Sequence, residues 1–325
     1  MTAIFSDERS NGTSFRSTAS SALIPENAQK KQERVDKHAS DDYISSQCIV
    51  SLGRLVSQPG KSIRLRRILR SDRGSLVVAF DHPVVHGPIP GTMNPAAQIA
   101  RFLEGRADAL LLNLGNFRYV ADAAKGSTSM PGLIARLDWT TALGTAAINP
   151  AEHFRSCLIG HPEDAVRAAA DGVITFLVLG SGDVDFERGE VQRVSRIARE
   201  CEQLGMPLVV ESLARGKSAR KPQDPEWLKL HSRVAAELGA DVIKTEYTGD
   251  PATMREVIDA CPIPILVLGG TRTGSDDDIL KVTQGIVQSG AAGVFFGRNV
   301  FQAENIPGLM QRLHAVLASQ APRQR

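Results

Sequence analysis

PLVVES (207–212), DVIKTEY (241–247), PILVLGG (264–270) and GVFFGRN (293–299) state one theme four times in succession. Each is a short aliphatic run that ends in polar or glycine residues. Between them lie PEWLKLHSRVAAELGA (225–240), DPATMREVIDAC (250–261) and SDDDILKVTQGIVQSGA (275–291), with RGEVQRVSRIARECEQLG (188–205) ahead of the first. In these longer segments the apolar residues recur at helical spacing, and several open on Asp or Ser and stop at Gly, as capped helices do. Strand and helix in strict alternation are the mark of a parallel sheet with helices around it. Upstream the same alternation yields SLVVAFD (75–81), DALLLNL (108–114), GLIARLD (132–138) and GVITFLVL (172–179). Eight β/α units over residues 74–320 match the size of a TIM (β/α)8 barrel, about 250 residues. An open doubly wound sheet is the alternative. The barrel is preferred because no GxGxxG follows the first strand and because chemically capable residues stand after several different strands.

The remaining segments differ in character. The first 60 residues hold 11 serines and few aliphatics, too little apolar surface to offset the entropy of ordering, so residues 1–50 are expected to form a flexible extension. Residues 51–73 are expected to supply a basic lead-in helix, in which Ile63, Leu65, Ile68 and Leu69 of KSIRLRRILRSDRG partly share a face and Gly74 ends it. The 325-residue chain has a formal net charge of +2, with 13 Lys/Arg against 8 Asp/Glu in residues 1–73. No aromatic residues interleave the basic ones, so a solvated flanking helix fits better than a nucleic-acid contact. No apolar run approaches a membrane span, and the polar start MTAIFSDERS is unlike a secretory signal, which leads to a cytoplasmic, non-membrane expectation. Cys48, Cys157, Cys201 and Cys261 are widely spaced, without the clustering that structural zinc needs, and read as reduced thiols.

In a barrel the chemistry sits at the C-terminal ends of the strands. There the first strand ends in Ala79-Phe80-Asp81-His82-Pro83, and the sixth carries Lys244 in an otherwise apolar run. A buried lysine is either paired structurally or chemically employed. An ammonium held among apolar neighbours loses solvation, and the amine it releases can attack a carbonyl to form a Schiff base. Strand alternation places Lys244 on one face with Val242 and Glu246, so a carboxylate is a further candidate participant. Gly269, Gly270 and Thr271 end the seventh strand, and Gly297 with Arg298 ends the eighth, each before a helix. Close backbone approach, helix N-termini and a guanidinium fork together suit a phosphate, although either glycine pair alone would also make a tight turn. His82 and His86 have metal-ligand spacing, but Pro83 and Pro88 break any helix and no third ligand is evident, so no metal is expected. Asp138-Trp139 is a weaker candidate for substrate contact, and Asp276, Asp277 and Asp278 read as the acidic first turn of a helix.

Taken together, VIKTEYTGD (242–250), VLGGTRTGSDDD (267–278), GVFFGRNVFQ (293–302) and AFDHPVVHGP (79–88) resemble the archaeal-type class I fructose-bisphosphate aldolases and their DeoC/LacD-like relatives. That group includes aminodideoxyheptulosonate synthases and the thiolase acting on phosphorylated autoinducer 2. The resemblance covers roughly residues 60–318. It implies a Schiff-base lysine at Lys244, a sugar-phosphate site at Gly269, Gly270, Gly297 and Arg298, a substrate-facing acid at Asp81, a homo-oligomer, and neither metal nor cofactor. Many aldolases of the group place a tyrosine acid/base just before the pair that is here Arg215-Gly216, and this sequence has Leu213. Leucine moves no proton, so Asp81, Glu211, Glu246, Tyr247 or His82 must substitute, or the reaction differs.

The leading expectation is therefore a class I, metal-independent aldolase acting on a phosphorylated ketose, with Lys244, Asp81, Glu246 and Glu211 as catalytic candidates and Gly269, Gly270, Thr271, Gly297, Arg298, His82 and Arg215 around the substrate. Transaldol exchange or thiolytic transfer on a phosphorylated ketone is the second reading. A non-catalytic sugar-phosphate sensor is the third.

Overall fold

The computed structural model describes residues 59–125, 130–144, 154–219, 221–272 and 274–319. The expected flexible extension, residues 1–50, and the first part of the lead-in segment lie outside the described residues. The strands are β1 (Ser75–Phe80), β2 (Ala109–Asn113), β3 (Gly132–Arg136), β4 (Asp138–Thr140), β5 (Ser156–Leu158), β6 (Gly172–Leu179), β7 (Leu208–Ala214), β8 (Val242–Thr245), β9 (Ile265–Leu268) and β10 (Gly293–Phe296). Eight of them close into a parallel barrel in the order β1-β10-β9-β8-β7-β6-β3-β2. The helices are α1 (Pro59–Ile68), α2 (Pro83–His86), α3 (Pro95–Glu104), α4 (Arg118–Ala123), α5 (Pro162–Arg167), α6 (Val184–Leu204), α7 (Pro225–Glu237), α8 (Pro251–Asp259), α9 (Asp276–Ser289), α10 (Arg298–Phe301) and α11 (Ile306–Ala318).

The two-residue period of the strands sorts their side chains into two cores. Leu76, Val78, Leu110, Val210, Ile243 and Val294 point outward, into one cluster with the apolar faces of the helices. Val77, Leu111, Ile134, Val209, Val242 and Leu266 point inward and fill the lower barrel. Both faces are buried, so the strands read as unbroken aliphatic runs rather than as alternating ones. Helix ends follow the expected chemistry: the side chains of Asp183, Asp224 and Asp250 accept from backbone N–H groups at the starts of α6, α7 and α8. Ser275 and Asp278 form a reciprocal capping box that opens α9, and Asp276, Asp277 and Asp278 are its acidic first turn. Gly205 and Gly290 end α6 and α9 in the left-handed conformation.

The lead-in helix does more than flank the barrel. Leu65, Ile68 and Leu69 join the inner cluster and seal its floor, where Gly132 permits the seat: a Cβ there would stand 2.5 Å from the Arg67 carbonyl oxygen. Three of the basic residues that suggested a solvated surface, Lys61, Arg67 and Arg73, are held by aspartates of the barrel. Asp108, Asp171 and Asp241 each stand just before a barrel strand and accept the backbone N–H of Leu76, Leu133 and Leu208. Arg73 pairs with Asp108 at 2.7 Å, Arg67 with Asp171 at 2.8 Å, and Lys61 with Asp241 at 3.0 Å.

A second departure concerns residues 132–138, expected as one strand. β3 ends at Arg136, and Asp138 begins β4, which leaves the barrel and pairs antiparallel with β5. The divergence has a polar cause: the Asp138 carboxylate turns in to accept from the Thr175 hydroxyl at 2.6 Å and the Phe176 N–H at 2.8 Å. Cys201 and Cys261 are buried free thiols, and Cys157 is an exposed one on β5.

Two stability outcomes follow. Ile68→Ala opens a cavity under the barrel floor and should cost about 2–5 kcal/mol in denaturant unfolding. His231 on α7 is buried and shares a hydrogen bond with the Ser212 hydroxyl. Burial, then the Arg215 charge, pushes its pKa down to about 3. The unfolded chain takes up that proton near pH 6.5 and the folded one does not, so stability is full above that pH and is lost as pH falls toward 3. Unfolding midpoints measured from pH 7 to 4 should fall along this slope, and His231→Gln should make the slope shallower.

Candidate active site

The upper interior of the barrel is charged. Glu211 on β7 and Lys244 on β8 are register partners, and strand alternation turns both inward. Lys244 Nζ lies 2.8 Å from Glu211 Oε1 and 4.7 Å from the Phe295 ring centroid. Asp81, the residue after β1, and Arg136, the last of β3, complete the cluster. Arg136 donates to Asp81 Oδ2 at 2.9 Å, to Glu211 Oε2 and to Asp138 Oδ1 at 3.3 Å. Burial opposes the charge on Asp81, but Arg136 and then Lys244 outweigh it and hold the carboxyl well below the usual range. For Glu211 burial is likewise overcome, by Lys244 first and Arg136 second. Both carboxylates are therefore ionised at neutral pH.

Glu246 is placed differently from its expected position. β8 ends at Thr245, and Glu246 bonds the Arg215 guanidinium instead of Lys244. Its second oxygen is buried without a hydrogen-bond partner, and burial, only partly offset by Arg215, raises its pKa. Arg215 is consequently tied to Glu246 and to the Ala214 carbonyl. Leu213 belongs to an apolar cluster with Ala142, Phe154, Phe176 and Val178.

The loops after β9 and β10 meet over this cluster. Gly270 has φ +64°, a conformation that favours glycine, and open space beside its Cα. Gly297 is needed for a steric reason, since a Cβ there would stand 2.2 Å from His82 Cε1. The Asn299 amide donates to the Gly269 carbonyl at 3.1 Å and joins the two loops. Thr271 is exposed beside them. Arg298 is half-buried, has no ion-pair partner among the described residues, and leaves its Nε buried without a hydrogen bond. Burial lowers its pKa. A neighbouring guanidinium, Arg272, is by contrast engaged with Asp276 and the Asn299 carbonyl. His82 is within electrostatic reach of both Lys244 and Arg298, and burial pushes its pKa down to about 4, leaving a neutral ring.

The structure thus brings together Lys244, Glu211, Asp81 and His82, with Gly269, Gly270, Thr271, Gly297 and Arg298 around the rim. It withdraws Glu246 and Arg215 into their own pair. Trp139 lies on β4, paired with Cys157. No group of three metal-ligating side chains converges among the described residues. Arg136 escaped the reading of the sequence, although the signal was the one that picked out Lys244: a cation within an aliphatic strand, here GLIAR.

Known proteins place this barrel in context. The model of the DeoC/LacD family aldolases matches residues 75–303. An uncharacterised aldolase of Saccharolobus solfataricus is 32% identical over 265 residues, covering 81% of this chain and 96% of that protein. The 2-amino-4,5-dihydroxy-6-oxo-7-(phosphonooxy)heptanoate synthase of Streptomyces griseus is 30% identical, covering 77% of this chain and 87% of the synthase. Among solved structures, an archaeal fructose-1,6-bisphosphate aldolase with its catalytic lysine bound to a carbinolamine intermediate aligns with a TM-score of 0.69 at 28% identity, over 79% of this chain and 99% of that one. With the family model matched across the barrel from β1 to beyond α10, the chain belongs to the DeoC/LacD family of aldolases.

Proposed function

We propose that the protein is a class I, Schiff-base aldolase that cleaves or forms a carbon–carbon bond in a phosphorylated ketone, with Lys244 as the nucleophile. The observation that carries this reading is the Lys244–Glu211 contact in the barrel interior, beneath a rim where Arg298 presents a guanidinium with no ion-pair partner among the described residues. The phosphate would dock on the Gly269-Gly270 and Gly297-Arg298 loops, by backbone N–H groups and the charged fork. Docked there, the ketone carbon would lie toward Lys244. Glu211 would relay two protons in turn from the lysine nitrogen to the carbonyl oxygen, the first as the amine adds and gives the carbinolamine, the second as its hydroxyl departs, so that water leaves and the iminium forms. Asp81 would take the proton of the hydroxyl on the second carbon from the iminium, so that this carbon leaves as an aldehyde when its bond to the first carbon breaks. The carbon–carbon bond then breaks, its electron pair flowing into the iminium to give an enamine, which is protonated at carbon and hydrolysed to free the lysine.

Similarity supports the substrate class at two levels. The archaeal neighbour is by its title a fructose-1,6-bisphosphate aldolase whose lysine bonds its substrate, and the Streptomyces relative is by name a synthase of a phosphorylated amino keto acid. Leu213 favours a second reading, transfer of an acyl or aldol fragment, because no hydroxyl stands where many aldolases of the resembling group carry their tyrosine. Glu211 provides a proton relay compatible with either.

Borohydride reduction in the presence of phosphorylated ketones should add the mass of the reduced ligand to the peptide containing Lys244, and Lys244→Met should abolish the adduct. Failure of every phosphorylated ketone to give one would remove the mechanism. Arg298→Met should raise KM for a phosphorylated substrate about 10–100-fold in steady-state assays, the equivalent of losing a charge-assisted hydrogen bond of about 1.5–3 kcal/mol, with a smaller change in kcat.

A further inference from the structure

Arg136 carries a guanidinium that is 1% exposed and that stays protonated at any working pH. Such a charge is tolerated only among carboxylates with good geometry. Asp81 Oδ2 accepts from Nε at 2.9 Å and lies 2.8 Å from Nη2. Nη2 also donates to Glu211 Oε2, and Nη1 to Asp138 Oδ1 at 3.3 Å. The Phe176 ring covers its flat face, with Cζ 3.8 Å from the centroid. Asp138 is anchored from behind by Arg193 Nη1 at 2.6 Å, besides Thr175 and Phe176.

The two oxygens of Glu211 are thereby divided between duties: Oε2 belongs to Arg136 and Oε1 faces Lys244. On Asp81, Oδ2 belongs to Arg136 and Oδ1 lies 3.5 Å from His82 Nδ1. Each carboxylate is gripped by one oxygen and presents the other. Resting on the Schiff-base reading above, we infer that Arg136 is a positioning residue whose planar fork sets the separation of Asp81 and Glu211, so that one serves the nitrogen of Lys244 and the other serves the bond being broken. Buried beneath the reacting groups, it acts through these two carboxylates. Lysine would be no equivalent at this position, because a single ammonium on a flexible stem does not bridge Asp81, Glu211 and Asp138 in one plane.

The charged and titratable groups facing Glu211 are Arg136 from β3, Lys244 from β8, Asp81 and the neutral His82 from the end of β1, and the Glu246–Arg215 pair. Removing the fixed cation among them should raise the pH at which the carboxylates ionise. The test is the rate of borohydride-trapped adduct formation at Lys244 with dihydroxyacetone phosphate, measured from pH 4 to 9 on the full-length protein, its Arg136→Gln and Arg136→Lys variants, and Glu211→Gln. Thermal melts report folding alongside. In Arg136→Gln the acidic limb of the profile should move up by about one to three pH units, the effect of an opposite charge at hydrogen-bonding range. Arg136→Lys should keep the limb near its original place, because the charge is retained, yet trap about 10²-fold more slowly, because the geometry is lost. Should Arg136→Gln fail to fold, the Arg136→Lys rate decides the matter. A folded Arg136→Lys protein that traps within twofold of the unaltered one, or a folded Arg136→Gln protein with an unmoved limb, overturns the inference. Absence of an adduct in the unaltered protein with this and every other phosphorylated ketone overturns the imine reading itself, and the inference with it.

Discussion

A charge can be kept inside a barrel only if its counter-charge is built beside it. Two cations, Lys244 and Arg136, occupy the upper interior of this one, each within hydrogen-bond reach of Glu211. The parallel register that pairs Glu211 with Lys244 across β7 and β8 is thus as much an electrostatic requirement as a topological one. Asp81 completes the neutralisation from β1, and Asp138 supports Arg136 from the start of β4. Strands distant in the sequence meet here because the sheet closes. An open sheet would have left β1 and β10 at separate edges, with Asp81 and His82 far from Gly297 and Arg298.

The two halves of the barrel interior divide the work. Below, aliphatic side chains from alternate strand positions and from α1 exclude water and fix the cylinder. Above, the same inward positions turn ionic within two residues, from Val242 to Lys244, Val209 to Glu211 and Ile134 to Arg136. The rigid lower layer holds the charged upper one in place, and the loops after β9 and β10 add the part of the rim that would meet an anion. Arrays of this kind on strand ends are more precise than ones carried on loops alone.

Much of this was legible from the residues. All eight barrel strands appear in the alternation of aliphatic runs and amphipathic segments, since strands buried on both faces advertise themselves by composition. Lys244 stood out for being charged within such a run, and the glycine-rich ends of β9 and β10 by their repetition. What escaped was relational. That Glu246 turns to Arg215 depends on β8 ending at Thr245, two residues short of the expected DVIKTEY (241–247), and local sequence does not fix where a strand releases its neighbour. Arg136 was passed over because residues 132–138 read as one continuous strand, and the break after it is set by Asp138 bonding to Thr175 and Phe176, thirty-odd positions later. The partners of the basic segment, Asp108, Asp171 and Asp241, are likewise spread over more than half of the barrel.

That dispersal gives the floor helix a particular place in the order of assembly. The segment from α1 to Arg73 precedes the barrel in the chain, yet Arg73, Arg67 and Lys61 find their aspartates only when the segments leading into β2, β6 and β8 are in position, and Leu65, Ile68 and Leu69 need the inward residues of nearly every strand. Contacts of such long sequence separation form late and slowly. The earliest-synthesised part of the described structure is therefore among the last to be covered, and Leu65, Ile68 and Leu69 remain open to solvent, or to a chaperone, until most of the cylinder has emerged from the ribosome.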